Sequence, residues 1–239
     1  MNKEIKINYL LPNLFTAASI FVGVVSIINA ANGRFERAGW LIVLSLILDG
    51  LDGRIARITK GESKFGIEFD SLADIVAFGV APAMLIYFQI GYKYGKVGVL
   101  ISALYVVLGA IRLARFNITT SKNDPNVFIG LPIPAAAMFL VSLSLLDLKY
   151  NLEIIEPIIL SIMLFIAILK VSNIRYFAFK KISIKKAISF KVLILLILVA
   201  SLLYLATPEV LVTLFSTYIL FGIIRAINSI KRVKKFKKR

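Results

Sequence analysis

Long apolar runs alternate along the chain with short polar or basic stretches, and the runs have the length of membrane spans rather than the periodicity of amphipathic helices or alternating strands. Eight such segments can be marked, roughly 9 to 31, 37 to 58, 67 to 91, 95 to 116, 130 to 147, 153 to 171, 189 to 206 and 208 to 230. Each approaches the ~20 residues that a helix needs to cross a bilayer. No internal repeat, low-complexity linker or long polar region divides them. The pattern predicts an all-α integral membrane protein, one polytopic domain over residues 1–239 with about eight transmembrane helices.

Loop charge orients these helices. With eight spans, one side collects Lys3, Lys6, the loop of Arg57, Lys60 and Lys64, then Arg115, Lys122, the stretch from Lys170 to Lys191, and the basic tail after Lys231. The other side receives only Arg34, Arg37, Lys93, Lys96 and Lys149. The excess of basic residues marks the cytoplasmic face, so both termini are expected there. The segment from Ser172 to Phe190 mixes Ile174, Tyr176, Phe177, Phe179, Ile182 and Ile184 with Lys180, Lys181, Lys185 and Lys186, a composition suited to lying on an anionic lipid surface. The first apolar run is longer than a signal-peptide core and carries Pro12, Asn13, Thr16 and Ser19, so it is expected to stay as the first helix.

Composition narrows the chemistry. Of the 239 residues 59% are hydrophobic, and the net charge of +16 resides in the segments between spans, so the basicity serves topology and implies no nucleic-acid partner. Cysteine and histidine are both absent. Thiol nucleophiles, disulfides and zinc thiolate sites are thereby excluded, proton transfer falls to carboxylates or lysines, and any metal must be held by oxygen, which favours Mg²⁺ or Mn²⁺, with Ca²⁺ also suited.

Four aspartates stand out. Asp49, Asp52, Asp70 and Asp74 fall inside the second and third apolar segments, where a central aspartate costs about 2.5 to 3.5 kcal/mol. Within each pair the spacing is three or four residues, which puts both carboxylates on one helix face. The two helices are joined by a short loop near 58 to 66, and at ~1.5 Å per residue both pairs lie roughly 5 to 14 Å in from it. The pairs can therefore face each other near the cytoplasmic surface. Four clustered carboxylates repel unless positive charge cancels them, and two divalent cations are the economical solution.

The whole stretch from Asp49 to Asp74 reads DGLDGRIARITKGESKFGIEFDSLAD and resembles the signature of the CDP-alcohol phosphotransferases at all eight defining positions: Asp49, Asp52, Gly53, Ala56, Arg57, Gly66, Asp70 and Asp74. The resemblance implies that the four aspartates carry the two metals, that Gly53, Ala56 and Gly66 let the nucleotide of a CDP-lipid approach the backbone, and that Arg57 offers a cation to its diphosphate. An aspartate is the natural base in a chain without histidine, and the resemblance points to Asp74 as the catalytic one. A homodimer is also implied.

The signature does not choose the acceptor. Other stretches, LPNLFTAASIFVG at the start, RLARFN from Arg112 to Asn117, FIGLPIPAAA from Phe128 to Ala137 and VSNIRYFAFK from Val171 to Lys180, are similar to the phosphatidylserine synthase subgroup, apart from Ala178 where serine is expected. This resemblance implies CDP-diacylglycerol, or an ether-lipid equivalent, as donor and L-serine as acceptor, in the cell membrane of a prokaryote with the site facing the cytoplasm. The catalytic core is expected over about 9–180, with two additional helices over about 189–230. A serine acceptor carries a carboxylate that Arg112 and Arg115 can clamp, Asn117 can add a polar contact, and the loop from Gly130 through Pro132 to Pro134 can shape the pocket. The rival acceptors are glycerol 3-phosphate and inositol phosphate. A cation pathway lined by the aspartates is a third reading, weakened by their clustering toward one face.

Overall fold

A computed structural model describes residues 3–59, 63–119, 127–151, 155–177 and 208–237. Its helices are α1 (Lys3–Ala31), α2 (Phe35–Thr59), α3 (Lys64–Asp74), α4 (Ala81–Gln89), α5 (Lys96–Thr119), α6 (Ile133–Tyr150), α7 (Glu156–Val171) and α8 (Pro208–Lys237). Two three-residue strands, β1 (Val127–Ile129) and β2 (Arg175–Phe177), complete the described elements. Among the described residues five helical stretches are long and apolar enough to cross a membrane: Leu10–Ala31, Lys64–Gln89, Lys96–Thr119, Ile133–Tyr150 and Pro208–Asn228. The protein is a predominantly α-helical, multi-pass membrane protein. Of the other expected spans, α2 has 25 residues but carries Asp49, Asp52, Arg54 and Arg57 in its second half, α7 has 16 residues, and the segment 189 to 206 lies outside the described residues.

The third apolar segment, expected as one regular span, is continuous from Lys64 to Gln89 but passes through a π-helical turn at Ile75–Val80 between α3 and α4. Pro82 supplies the cause. Proline has no N–H to give the carbonyl four residues back, and its ring crowds that carbonyl, which here is Phe78. The ladder widens instead, with the Ala81 N–H reaching Val76. The buried Tyr105 hydroxyl of α5 donates to the Phe78 carbonyl at 3.3 Å, where an α-helix would have placed the missing N–H.

Helices α1 and α2 run against each other along a seam of small polar residues. Ser26 Oγ donates to the Ala38 carbonyl at 2.8 Å, and Ser19 and Ser45 each donate to the other's carbonyl at 3.3 and 3.2 Å. Small hydroxylated residues suit this place because lipid supplies no hydrophobic drive, so close backbone approach and hydrogen bonds must hold the pair. The apolar interior falls in two clusters. One gathers Ile42 and Val43 of α2, Ala77, Phe78 and Leu85 of the third stretch, and Met138 and Val141 of α6. The other joins Ile86 and Ile90 to Tyr105, Leu140, Ile159 and Met163 of α5, α6 and α7, with Ile219 of α8 packed in.

At one end of the bundle the all-α expectation gives way to a short ribbon. Strands β1 and β2 pair antiparallel, Val127 with Phe177, Phe128 with Tyr176 and Ile129 with Arg175. Branched and aromatic residues on both sides favour this pairing, and Pro132 then ends the extended stretch and starts α6. The Gly130 N–H continues the ribbon by donating to the Ile174 carbonyl at 2.8 Å. Gly130 has φ +77°, and a Cβ there would lie 2.1 Å from the Lys170 carbonyl oxygen, so both the turn and the close approach demand glycine.

Removing the Tyr105 hydroxyl by Tyr105→Phe should lower unfolding free energy in detergent by about 1 kcal/mol. The loss should shrink in a Pro82→Ala background, where a backbone N–H becomes available to the Phe78 carbonyl. An equal loss in both backgrounds would show that the hydroxyl and the proline are not coupled.

Candidate active site

The carboxylates of Asp49, Asp52 and Asp70 converge: each offers an oxygen within 4.8 Å of the others. Asp49 and Asp52 come from successive turns of α2, and Asp70 and Asp74 from successive turns of α3, as the spacing requires. Thr16 of α1 fixes the least exposed of them, donating its hydroxyl to Asp52 Oδ2 at 2.6 Å, and Asp52 is only 5% exposed. Asp74 stands beside the trio. It is in hydrogen-bonding contact with Asp49, while its Oδ1 is buried with no hydrogen-bond partner. Two ionised carboxylates this close repel, so positive charge belongs between or beside them.

The donor set fits divalent cations. Oxygens that share a Mg²⁺ or Ca²⁺ stand at most about 4 to 5 Å apart, twice the metal–oxygen distance, and the trio meets that bound with hard oxygen ligands only. Asp74 adds a fourth carboxylate beside the trio, its Oδ1 buried and without a hydrogen-bond partner. Asp49, Asp52, Asp70 and Asp74 are thus the residues able to hold metal.

The glycines of the signature occupy distinct surroundings. Gly53 is exposed, with open space where a Cβ would go, and its backbone bonds the Asp52 carboxylate. Gly66 lies in the first turn of α3, where its N–H donates to the capping hydroxyl of Ser63 at 2.9 Å. Ala56 is half-buried on α2, and the Arg57 side chain lies outside the described residues.

The expected acceptor residues divide. Arg112 is 5% exposed and lies over the rings of Phe116 and Phe128, at 5.1 and 5.8 Å from their centroids. It is close enough to attract Asp74, yet its Nε has no hydrogen-bond partner. Arg115 is engaged within the protein: it donates to the Val171 carbonyl at 3.2 Å and to Asn173 Oδ1 at 2.6 Å, latching α5 to the end of α7. Asn117 exchanges hydrogen bonds with Ser71, which lies between Asp70 and Asp74, and reaches Glu68, so it ties α5 to α3. Gly130 and Pro132 shape the ribbon and the start of α6.

Several residues of this region were not foreseen as part of a site. Thr16 shares a face with Ser19 of α1, and three-residue spacing of polar groups in an apolar run was the available signal. Lys170, counted from the sequence at the start of the cytoplasmic basic stretch, is 1% exposed in the last turn of α7, donating to the Tyr105 carbonyl at 2.9 Å. Tyr176 is buried as well, with its hydroxyl unpartnered, and burial pushes that phenol up to about 12. Tyr218 of α8 packs on Tyr176, their ring centroids 5.6 Å apart.

Residues 9–169 match the family described as CDP-alcohol phosphatidyltransferase. A CDP-diacylglycerol–serine O-phosphatidyltransferase of Helicobacter pylori (strain ATCC 700392 / 26695) is 53% identical over 219 residues, 91% of each chain. Similarity extends to proteins of the same name from Bacillus subtilis, 38% identical over 73% of this chain and 93% of that protein, and from Methanocaldococcus jannaschii, 39% identical over 66% and 72%.

Binding of Mn²⁺ followed by electron paramagnetic resonance tests the cluster directly. Thr16→Val removes the hydrogen bond that orients Asp52, and should weaken Mn²⁺ binding about ten-fold. Asp49→Ala and Asp70→Ala should weaken it more, whereas Arg115→Ala should leave it unchanged.

Proposed function

The chain belongs to the CDP-alcohol phosphatidyltransferase family, and on that premise we propose that it transfers a phosphatidyl group from CDP-diacylglycerol to the hydroxyl of L-serine, giving phosphatidylserine and CMP. The observation that carries the reading is the convergence of Asp49, Asp52 and Asp70 on one centre with Asp74 beside it. The proteins of that name, similar over most of this chain, support serine as the acceptor.

Two divalent cations, Mg²⁺ or Mn²⁺, held by the four aspartates would supply charge neutralisation for the donor's diphosphate and polarise the phosphorus under attack. The protein's own groups do the rest. The open backbone at Gly53 and the half-buried Ala56 leave room for the nucleotide along α2, with Gly66 facing it from the start of α3. Arg57 lies one helical turn beyond Gly53 on the same helix and serves as a cation for the diphosphate. Asp74 Oδ1 takes the proton of the serine hydroxyl as that oxygen bonds to phosphorus and the bond to the CMP oxygen breaks. Arg112 holds the acceptor's carboxylate, while Asn117, Gly130 and Pro132 keep the surrounding elements in place.

The wider arrangement follows the same reading. The active end faces the cytoplasm of a prokaryotic cell, where soluble serine arrives and CMP departs, in a chain of eight spans with both termini on that side. The catalytic core covers about 9–180, and the enzyme works as a homodimer. Ether-linked and diacyl donors present the same diphosphate to the aspartates.

Purified protein in detergent or liposomes, given CDP-diacylglycerol and Mn²⁺, should release CMP with L-serine and not with glycerol 3-phosphate or inositol phosphate. Asp74→Asn should lower kcat by about 10² to 10⁴. Turnover with a phosphorylated acceptor alone would overturn serine as the substrate.

A further inference from the structure

Lys170 lies among apolar side chains at the last turn of α7, 1% exposed, and among the described residues its ammonium meets no carboxylate at ion-pair distance. Its nitrogen donates to the Tyr105 carbonyl at 2.9 Å and rests on the Tyr105 ring. The α7 dipole favours a cation at this end, but by much less than burying an ammonium costs. The neighbouring charge makes the deficit worse, because Arg112 is close enough to repel it. Lys170 and Arg112 are thus two buried basic side chains within electrostatic reach of each other, surroundings that an anion relieves.

Arg112 shows where that anion belongs. Its Nε and the Oδ1 of Asp74 are both buried and both without a hydrogen-bond partner, although the two side chains attract each other. They do not meet at ion-pair distance. A donor and an acceptor that attract but stay apart suit a small molecule carrying an anionic group for Arg112 and a hydroxyl for Asp74. A β-hydroxy amino acid has both, separated by two carbon atoms. Residues outside the family match lie nearby: Tyr218 of α8, within electrostatic reach of Arg112, and Tyr176 of β2, which packs on Tyr218 and has its own hydroxyl buried and unpartnered. Gly222 of α8 lets that helix close on the Tyr176 ring, since a Cβ there would overlap it at 2.2 Å.

We propose that Lys170 and Arg112 form a buried anion subsite, near Tyr218 and Tyr176, that binds the carboxylate of the amino-acid acceptor and sets its hydroxyl toward Asp74. This deepens the serine-transfer reading and rests on it. It also gives strand β2 and helix α8 a part in acceptor selection, through residues that follow the matched region.

The test is Lys170→Met in the full chain, with Tyr176→Phe as a milder variant that keeps the ring against α8. Removing a buried charge does not threaten the fold, so lost affinity is not lost stability. The KM for L-serine should rise about ten-fold or more in Lys170→Met, with the KM for CDP-diacylglycerol changed less than about two-fold. The preference for L-serine over serinol, which lacks the carboxylate, should fall by a similar factor in kcat/KM, a ratio that a partly unfolded sample does not alter. L-serine should raise the thermal unfolding midpoint of wild type and not of Lys170→Met. A rise in the CDP-diacylglycerol KM instead would assign the subsite to the donor's diphosphate and overturn the proposal. Unchanged serine KM and unchanged preference would overturn it too, making Lys170 structural. If wild type releases no CMP in response to serine, the transfer reading itself fails and the subsite falls with it, an outcome distinct from a failure confined to the variants.

Discussion

The arrangement depends on one electrostatic constraint: four carboxylates are held together at one end of an apolar helix bundle. Their surroundings, partly withdrawn from water, screen this repulsion poorly, so the frame must oppose it mechanically until positive charge arrives. Each helix that carries or faces them is pinned by a separate polar contact. Thr16 ties α1 to Asp52, the Ser63 hydroxyl caps α3, and the Asn117–Ser71 exchange ties α5 to α3. The serine seam between α1 and α2 extends the same restraint along the bundle. The aspartates are pre-set by packing and hydrogen bonds, and ligand binding has little ordering left to do.

Toward the far end Gln89 bonds Asp147 at 2.8 Å, Ser144 bonds Gln89, and Lys93 meets Glu156 at 2.6 Å, while Ser102 Oγ in the first half of α5 is buried without a partner. At the aspartate end Asp74 Oδ1, Arg112 Nε and the Tyr176 hydroxyl are buried and unpartnered. Orphaned polar atoms are expensive in any interior, and those of Asp74, Arg112 and Tyr176 suit this end to a polar ligand.

How much of this was legible in the sequence varied with the kind of signal. The aspartate pairs were plain, because a charge in an apolar run is rare and a spacing of three or four can mean only one helix face. Their convergence followed from the short loop between two spans. Arg112 was singled out for the acceptor side, but nothing in one sequence distinguishes it from Arg115 three residues on, and only packing shows Arg115 bound to the α7 end and Arg112 free at Nε. The burial of Lys170 was not legible: at the edge of an apolar run, a lysine that reaches water and one that turns inward look alike, and the contacts of α5 decide. The β1–β2 ribbon was invisible because each strand has three residues, too few for an alternating pattern to emerge, and their partnership spans the whole of α6 and α7.

The π-helical turn that follows Asp74 carries a consequence for how this fold tolerates change in chain length. Successive residues of an α-helix step around the axis by about 100°, so one residue inserted or deleted between the aspartates and the core-facing part of α4 would swing one out of phase with the other. A widened turn absorbs such a one-residue difference locally, and Pro82 with Tyr105 fixes where it occurs. The azimuth of Asp70 and Asp74 is thereby separated from the azimuth of Leu85, Ile86 and Ile90. The aspartate-bearing and core-facing halves of one continuous helix can then drift in sequence independently, each keeping its own phase.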